Sequence, residues 1–331
     1  MKIAVFNAKP YDKQYLAQHN QQCRHQLVFI DAHLDSNSLP QARGAPVVSL
    51  FVNDPVDDKL IQQMSQQGVQ MLALRSAGFN HVDLEAAHHA GILVANVPDY
   101  SPFAVAEHAT ALLLSLVRHL YSAQNRIREG NYALSGLMGF DLHGKTVGIV
   151  GTGKIGLCFA RIMHGFGCKL LGSDPVENPQ CKALGLVYVP LEELLATADI
   201  ISLHCPLLPA THHLIDAHAI DKMRPGTGLI NTARGPVIDT AAAIAGLKSG
   251  KIGLLGLDVY EDEAPLFFDD HSDRMLLDDQ FARLLTFKNV LVTAHQGFFT
   301  QEAVSNIAKL TLENVTQFEN RGDCDNRIRI S

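Results

Sequence analysis

Short apolar runs alternate with amphipathic stretches along most of the chain, and this alternation predicts strands separated by helices. In the first 95 residues KIAVF, HQLVFI, PVVSLF, VQMLALRS and GILVANV read as strands, with helical stretches at 12–19 and in VDDKLIQQMSQQ. Strands spaced by helical patterns argue for a parallel sheet, because parallel neighbours need a crossover. NVPDYSP, residues 96–102, interrupts the pattern with two prolines and marks a candidate crossing between domains. Residues 103–119 then predict a long helix, apolar around much of its circumference, with Ala104, Ala109, Leu112, Leu113, Leu116 and Leu120 available for burial. From Thr146 the alternation resumes. TVGIV, CKLLGSD, DIISLHCPL, GLINTARG, IGLLGLDVY and NVLVTAH read as strands, with helices at 154–164, in LEELLATA, within 211–223 and at 240–249. Residues 269–280 read as polar surface loop, and the helix in TQEAVSNIAKLTLENVTQF is expected to return to the first domain or to pack beside it.

The most informative junction is TVGIVGTGKIG, where a buried strand runs into Gly151, Gly153 and Gly156. The first glycine permits a tight turn, the second lets a phosphate approach the backbone, and the third lets helix and strand pack closely. Unpaired amides at the helix start, around Lys154 and Ile155, then face the pyrophosphate of a dinucleotide. The next strand ends at Asp174, before Pro175 and 18 residues past Gly156, where such a site places a carboxylate on the adenosine ribose. Its charge opposes the extra phosphate of NADP, so NAD is the expected cofactor.

Composition narrows the class further. A chain of 331 residues accommodates two ordinary domains, and 47% apolar with 18% charged residues describes a folded soluble protein. A formal charge of −7 gives no reason to expect nucleic acid or an anionic membrane as partner. The amino terminus turns polar within ten residues, so no secretory leader is expected and a cytoplasmic location is. The six cysteines show neither paired metal-ligand spacing nor a disulfide framework, and no metal is expected. His212 and His213 read as near-surface structural residues.

Arg234, the acidic segment 258–263 and His295 all follow predicted strand ends, and ligands of open parallel sheets collect outside those ends. They can therefore converge despite their separation. From spacing alone Glu261, Asp262 and Glu263 are equivalent candidates for an acid beside His295.

LRSAGFNHVD, NVPDYSPFAVAEH, GTGKIG, LHCPL, INTARG, LDVYEDE and VLVTAHQGFFT together resemble the D-specific 2-hydroxyacid dehydrogenase family over essentially the full length, most closely its fermentative D-lactate branch. The resemblance implies two doubly wound α/β domains. A Rossmann-type NAD domain, 101–298, is inserted into a flavodoxin-like catalytic domain made of 1–100 and 299–331, with the substrate cleft between them and usually a homodimeric core. It implies reversible reduction of a small 2-oxoacid by direct hydride transfer from NADH.

Residue by residue, it makes His295 the general acid/base, Glu263 its carboxylate partner, with Glu261 and Asp262 left as solvated loop acids, and Arg234 the fork that holds the substrate carboxylate. It maps substrate contacts onto Ser76, Ala77, Gly78, Tyr100 and Phe299. It maps the adenosine and phosphate side of the cofactor onto Cys205, Pro206 and Thr211, and the nicotinamide side onto Thr232, Ala233 and Asp258. Two alternatives stay open: a dehydrogenase for another small 2-hydroxyacid, and an NAD-sensing interaction protein resembling corepressors that retain this fold.

Overall fold

The computed structural model describes residues 1–329; residues 330–331, the end of the expected 299–331 segment, lie outside the described residues. The amino-terminal runs form β1 (Lys2–Val5), α1 (Pro10–Cys23), β2 (Gln26–Phe29), β3 (Val47–Leu50), α2 (Asp58–Gln66), β4 (Met71–Leu74), α3 (Leu84–His89) and β5 (Leu93–Ala95). Then follow α4 (Pro102–Val117), α5 (Leu120–Arg128), β6 (Thr146–Val150), α6 (Lys154–Gly165), β7 (Lys169–Ser173), α7 (Pro179–Ala183), β8 (Val187–Tyr188), α8 (Leu191–Thr197), β9 (Ile200–Leu203), α9 (Ala217–Lys222), β10 (Thr227–Asn231), α10 (Thr240–Ser249), β11 (Ile252–Leu257), α11 (Asp279–Leu285) and β12 (Val290–Val292). A last helix, α12 (Gln301–Arg321), starts at a Thr300 cap whose hydroxyl accepts the Ala303 amide and ends at Gly322 in the left-handed region.

Contacts divide the chain into two compact units: Met1–Ser101 with the described part of the segment from Phe299, and Pro102–Phe298. The first holds a parallel sheet in the order β2-β1-β3-β4-β5, which is flavodoxin-like. Successive strand residues point to opposite faces. Ile3, Val5, Met71 and Ala73 pack on one side with Leu16 of α1 and Ala308, Leu312 and Val315 of α12, while Ala4, Val48, Leu50, Leu72 and Leu74 pack on the other with Ile61 and Met64 of α2. The returning helix α12 is therefore a structural part of the amino-terminal unit.

The second unit holds a seven-stranded parallel sheet, β12-β11-β10-β9-β6-β7-β8. Strand order reverses between β6 and β9, the switch point at which a Rossmann-type sheet opens a crevice beyond its carboxyl ends. Val147 and Ile149 face Leu113, Phe159 and Met163 of α4 and α6, and Ile201, Leu229 and Leu255 face Leu194, Ile220 and Leu247 on the opposite layer.

Three expectations change. The long helix ends at Val117 because His119 adopts a left-handed conformation (φ +50°), and Leu120, expected to be buried, opens α5 with 54% of its surface exposed. The loop expected to reach 280 gives way to α11, which Asp278 caps by accepting the Phe281 amide. Glu261, expected to be a solvated loop acid, is bonded: its Oε1 lies 2.5 Å from Nε2 of His213, itself a near-surface structural residue as expected, and its other oxygen accepts the Thr240 amide. Those bonds from His213 and Thr240 outweigh burial, which alone raises the Glu261 carboxyl, and hold it below its ordinary range.

Candidate active site

The dinucleotide turn is defined by what its glycines leave room for. Gly151 takes φ +90°, and a Cβ placed on it falls 2.6 Å from the Cys205 amide nitrogen, so the end of β6 lies directly against the end of β9. A Cβ on Gly156 falls 2.1 Å from the Gly151 carbonyl oxygen, so α6 is seated on the turn itself. Gly153 is different: a Cβ there meets nothing within 4 Å. It caps α6 with no side-chain bond to the helix, so the helix start is open to an anionic group.

Around that space, Asp174 follows the end of β7, with Oδ2 accepting the Thr152 amide (2.7 Å) and Oδ1 accepting the Val176 amide (2.8 Å). Thr152 in turn accepts from the Tyr188 hydroxyl at 2.7 Å. Pro175 and Pro206 are exposed, and Thr211 donates to the Pro206 carbonyl at 2.6 Å, closing the turn after β9. Burial pushes the Cys205 thiol up to about 11, which leaves it a neutral packing group. Thr232 carries a buried hydroxyl with no hydrogen-bond partner among the described residues. An open cradle at a helix start, a carboxylate at the next strand end and an orphaned hydroxyl fit a bound dinucleotide.

Arg234 follows β10 on a loop clamped by Asn231, whose Oδ1 accepts the Ala233 amide and whose Nδ2 donates to the Arg234 carbonyl. Gly235 lets this loop press on the next one, since a Cβ there falls 2.0 Å from the Tyr260 carbonyl oxygen. The guanidinium donates to the Ala233 carbonyl at 2.6 Å and has no carboxylate partner among the described residues. Planar donor capacity is thus left for an anion.

Of the three adjacent acids, Glu263 is the one that reaches His295, at 2.7 Å from Oε1 to Nδ1. An ionised carboxylate only accepts, so Nδ1 carries the proton and Nε2 is the ring nitrogen not engaged by Glu263. The second Glu263 oxygen accepts the Tyr260 amide at 2.9 Å. His295 takes φ +50°, a left-handed conformation uncommon outside glycine, and its amide donates to the Asp258 carbonyl at 2.7 Å. The buried Asp258 carboxylate accepts the Gln296 amide on Oδ1 (2.9 Å) and the Gly297 amide on Oδ2 (2.7 Å). The Phe268 ring lies 5.6 Å from the His295 ring.

In the amino-terminal unit, Ser76, Ala77 and Gly78 form a half-buried turn after β4, in which the Ser76 hydroxyl donates to the Gly78 carbonyl and Asn96 Nδ2 donates to the Ala77 carbonyl. Tyr100 is half-buried, its carbonyl accepting from Asn306 Nδ2. Phe299 is 52% exposed and sets its ring edge-on to Tyr11, with centroids 4.7 Å apart. Asn231, Thr152 and Tyr11 were not singled out by the sequence; Asn231, at a strand end inside INTARG, and Thr152, inside GTGKIG, carried a local signal, and Tyr11 did not.

Residues 110–297 match the D-isomer specific 2-hydroxyacid dehydrogenase family, NAD binding domain. The chain is 46% identical over 328 residues to a 2-hydroxyacid dehydrogenase homolog of Haemophilus influenzae, covering 99% of each. It superimposes with a TM-score of 0.91 on apo D-lactate dehydrogenase from Escherichia coli, at 43% identity over 99% of this chain and 100% of that one. D-lactate dehydrogenase from Aquifex aeolicus, solved with NAD and lactic acid, is similar at 33% identity and a TM-score of 0.86, over 97% of this chain and 96% of that one. This chain belongs to the D-isomer specific 2-hydroxyacid dehydrogenase family. It is an oxidoreductase of the NAD-dependent kind.

Proposed function

We propose that this chain is an NAD-dependent D-lactate dehydrogenase that interconverts pyruvate and D-lactate. The observation that carries the reading is the 2.7 Å pair of Glu263 and His295 in the same unit as the glycine cradle and the Arg234 fork, which has no carboxylate partner among the described residues. Its likeness to D-lactate dehydrogenases along nearly the whole chain supports the substrate.

NADH, when bound, supplies hydride from its nicotinamide C4 to C2 of the oxoacid. Gly151, Gly153, Lys154, Ile155 and Gly156 hold the pyrophosphate, Asp174 and Pro175 the adenosine ribose, and Cys205, Pro206 and Thr211 line the adenosine and phosphate side. Thr232, Ala233 and Asp258 line the nicotinamide side, where the Thr232 hydroxyl gains a partner. Arg234 grips the substrate carboxylate through two parallel N–H bonds and places positive charge beside the oxygen that becomes an alkoxide. His295 delivers a proton to that oxygen from Nε2 during reduction and removes it during oxidation, while Glu263 stabilises the protonated ring. The turn Ser76–Ala77–Gly78 offers backbone amides to the carboxylate, Tyr100 hydrogen-bonds to the substrate, and Phe299 restricts its side chain to a methyl group.

The working form is a homodimer. Leu120, Tyr121, Ile127, Tyr132, Leu134 and Met138 are all more than half exposed within one stretch, an apolar surface of the kind a second copy covers. No described helix is long and apolar enough to cross a membrane, and with the acidic balance of the chain this supports a cytoplasmic enzyme with no nucleic-acid or membrane partner.

The test is NADH oxidation by the purified protein with pyruvate, followed by the hand of the product. Rapid formation of D-lactate supports the reading. Turnover confined to bulkier 2-oxoacids replaces the substrate, and tight NADH binding without turnover on any 2-oxoacid replaces the enzyme with an NAD sensor.

A further inference from the structure

Asp258 is held from behind by a residue the reaction does not use. His108, on α4, brings Nε2 to 2.9 Å from the Thr293 hydroxyl oxygen and 3.2 Å from Asp258 Oδ1. Thr293 lies 2.6 Å from the same Asp258 oxygen and donates its hydroxyl proton there, because the carboxylate can only accept. The Thr293 oxygen is then left as an acceptor, so His108 carries a proton on Nε2 and shares it between Thr293 and Asp258.

Asp258 Oδ1 accordingly receives His108, Thr293 and the Gln296 amide, while Oδ2 receives the Gly297 amide. Burial raises the Asp258 carboxyl, yet the bonds from His108, Thr293 and Gln296 more than offset it and hold the group ionised. The packing is close as well. A Cβ on Gly297 falls 2.8 Å from Asp258 Oδ2 and 3.5 Å from His108 Cδ2, so the loop carrying His295 lies against both side chains with no room between. His108 is itself only 16% exposed.

We infer that His108 is a positioning residue for the proposed hydride-transfer reaction. Its Nε2–H fixes the Asp258 carboxylate, and through it the Gln296 and Gly297 amides that set where His295 presents its free ring nitrogen. Acid/base catalysis needs the donor within hydrogen-bond reach of the reacting oxygen, and a displacement of about 1 Å costs on the order of 10²-fold in rate. The contribution falls on the chemical step rather than on affinity.

The inference rests on the dehydrogenase reading, and the test separates the two. His108→Phe, His108→Gln and Thr293→Val are compared with the wild type for pyruvate kcat, pyruvate KM, NADH Kd by fluorescence, and Tm. His108→Phe is expected to lower kcat by about 10- to 100-fold with pyruvate KM and NADH Kd within about threefold of wild type. His108→Gln keeps a donor at the same reach and is expected to restore kcat to within about fivefold of wild type, which a general loss of packing would not allow. Thr293→Val, which leaves His108 in place, is expected to show the same split in kcat and provides the test if the Phe variant does not fold. An active wild type with unchanged kcat in the folded Phe or Val variant overturns the inference alone, as does failure of the Gln variant to recover kcat at wild-type Tm. A wild type silent on every 2-oxoacid overturns the reading and the inference with it.

Discussion

Glu263 is anchored before it orients anything: one carboxylate oxygen accepts the Tyr260 amide at 2.9 Å, and the other meets His295 Nδ1 at 2.7 Å. The acid thus sets both the tautomer and the direction of the ring. Under the proposed mechanism, Glu263→Gln removes the charge that favours imidazolium and, with one acceptor oxygen in place of two, can accept from Tyr260 or from His295 but not from both, so kcat falls by on the order of 10²-fold. His295→Gln removes the proton carrier and lowers kcat by about 10²- to 10⁴-fold. NADH titrations should give near wild-type Kd for both. Unchanged turnover in the His295 variant would remove it from the mechanism.

Arg234 has an open guanidinium, and Arg234→Gln should lower kcat/KM for pyruvate by about 10²- to 10⁴-fold, equivalent to two charge-assisted hydrogen bonds of about 1.5–3 kcal/mol each. NADH affinity should change far less. Steady-state kinetics with a fluorescence titration distinguishes these, and equal losses in both would point to damage of the cofactor side instead.

Two glycines of one motif should respond in opposite ways to the same methyl group. Gly153→Ala meets nothing in the protein, so Tm should stay close to wild type while NADH Kd rises, because the methyl enters the space left for the pyrophosphate. Gly156→Ala drives a Cβ to 2.1 Å from the Gly151 carbonyl oxygen and should cost at least about 1–3 kcal/mol of stability. Thermal unfolding without cofactor, beside NADH titration, measures both; a Gly153 variant that loses Tm but keeps NADH affinity contradicts the cradle.

His204 lies next to the Gly151 turn, with Nε2 2.9 Å from the Ser202 hydroxyl oxygen and Nδ1 buried without a hydrogen-bond partner among the described residues. Burial pushes its imidazole down to about 3. In the unfolded chain the ring takes a proton below about pH 6.5, which the native ring refuses until about pH 3, so unfolding gains protons across that window and stability falls with pH. The slope from this residue is at most about 1.4 kcal/mol per pH unit. Urea unfolding at pH 7.0 and 5.5, an interval above most carboxylate titrations, should show a smaller drop for His204→Phe than for wild type. Equal drops would assign the acid sensitivity to other groups.

What the chain announces and what it conceals differ by sequence distance. Gly151, Gly153 and Gly156 lie within six residues, and their spacing alone describes a turn, an approach and a packing contact. The parallel sheets were legible for a similar reason, since each strand is a local apolar run between turns. Helices α3 and α7 and strand β8 passed unread because five- and six-residue helices hold under two turns of pattern and a two-residue strand holds none. Asp278, two residues inside a stretch that looked like acidic loop, turned out to be a helix cap. His108 meets Asp258 and Thr293, and Tyr11 meets Phe299, across 150 to 288 residues of chain, and no local rule pairs them.

The return of α12 to the amino-terminal sheet has a consequence for synthesis. Ala308, Leu312 and Val315 complete the face begun by Ile3 and Val5, so that layer cannot close until α12 has left the ribosome, after the whole of the middle unit. The middle unit, Pro102–Phe298, has its whole sheet available earlier. Synthesis order and closing order therefore differ within this unit. Strands β1 and β3 wait with an uncovered apolar face while the middle unit is made, and a chaperone that shields such faces is expected to engage them.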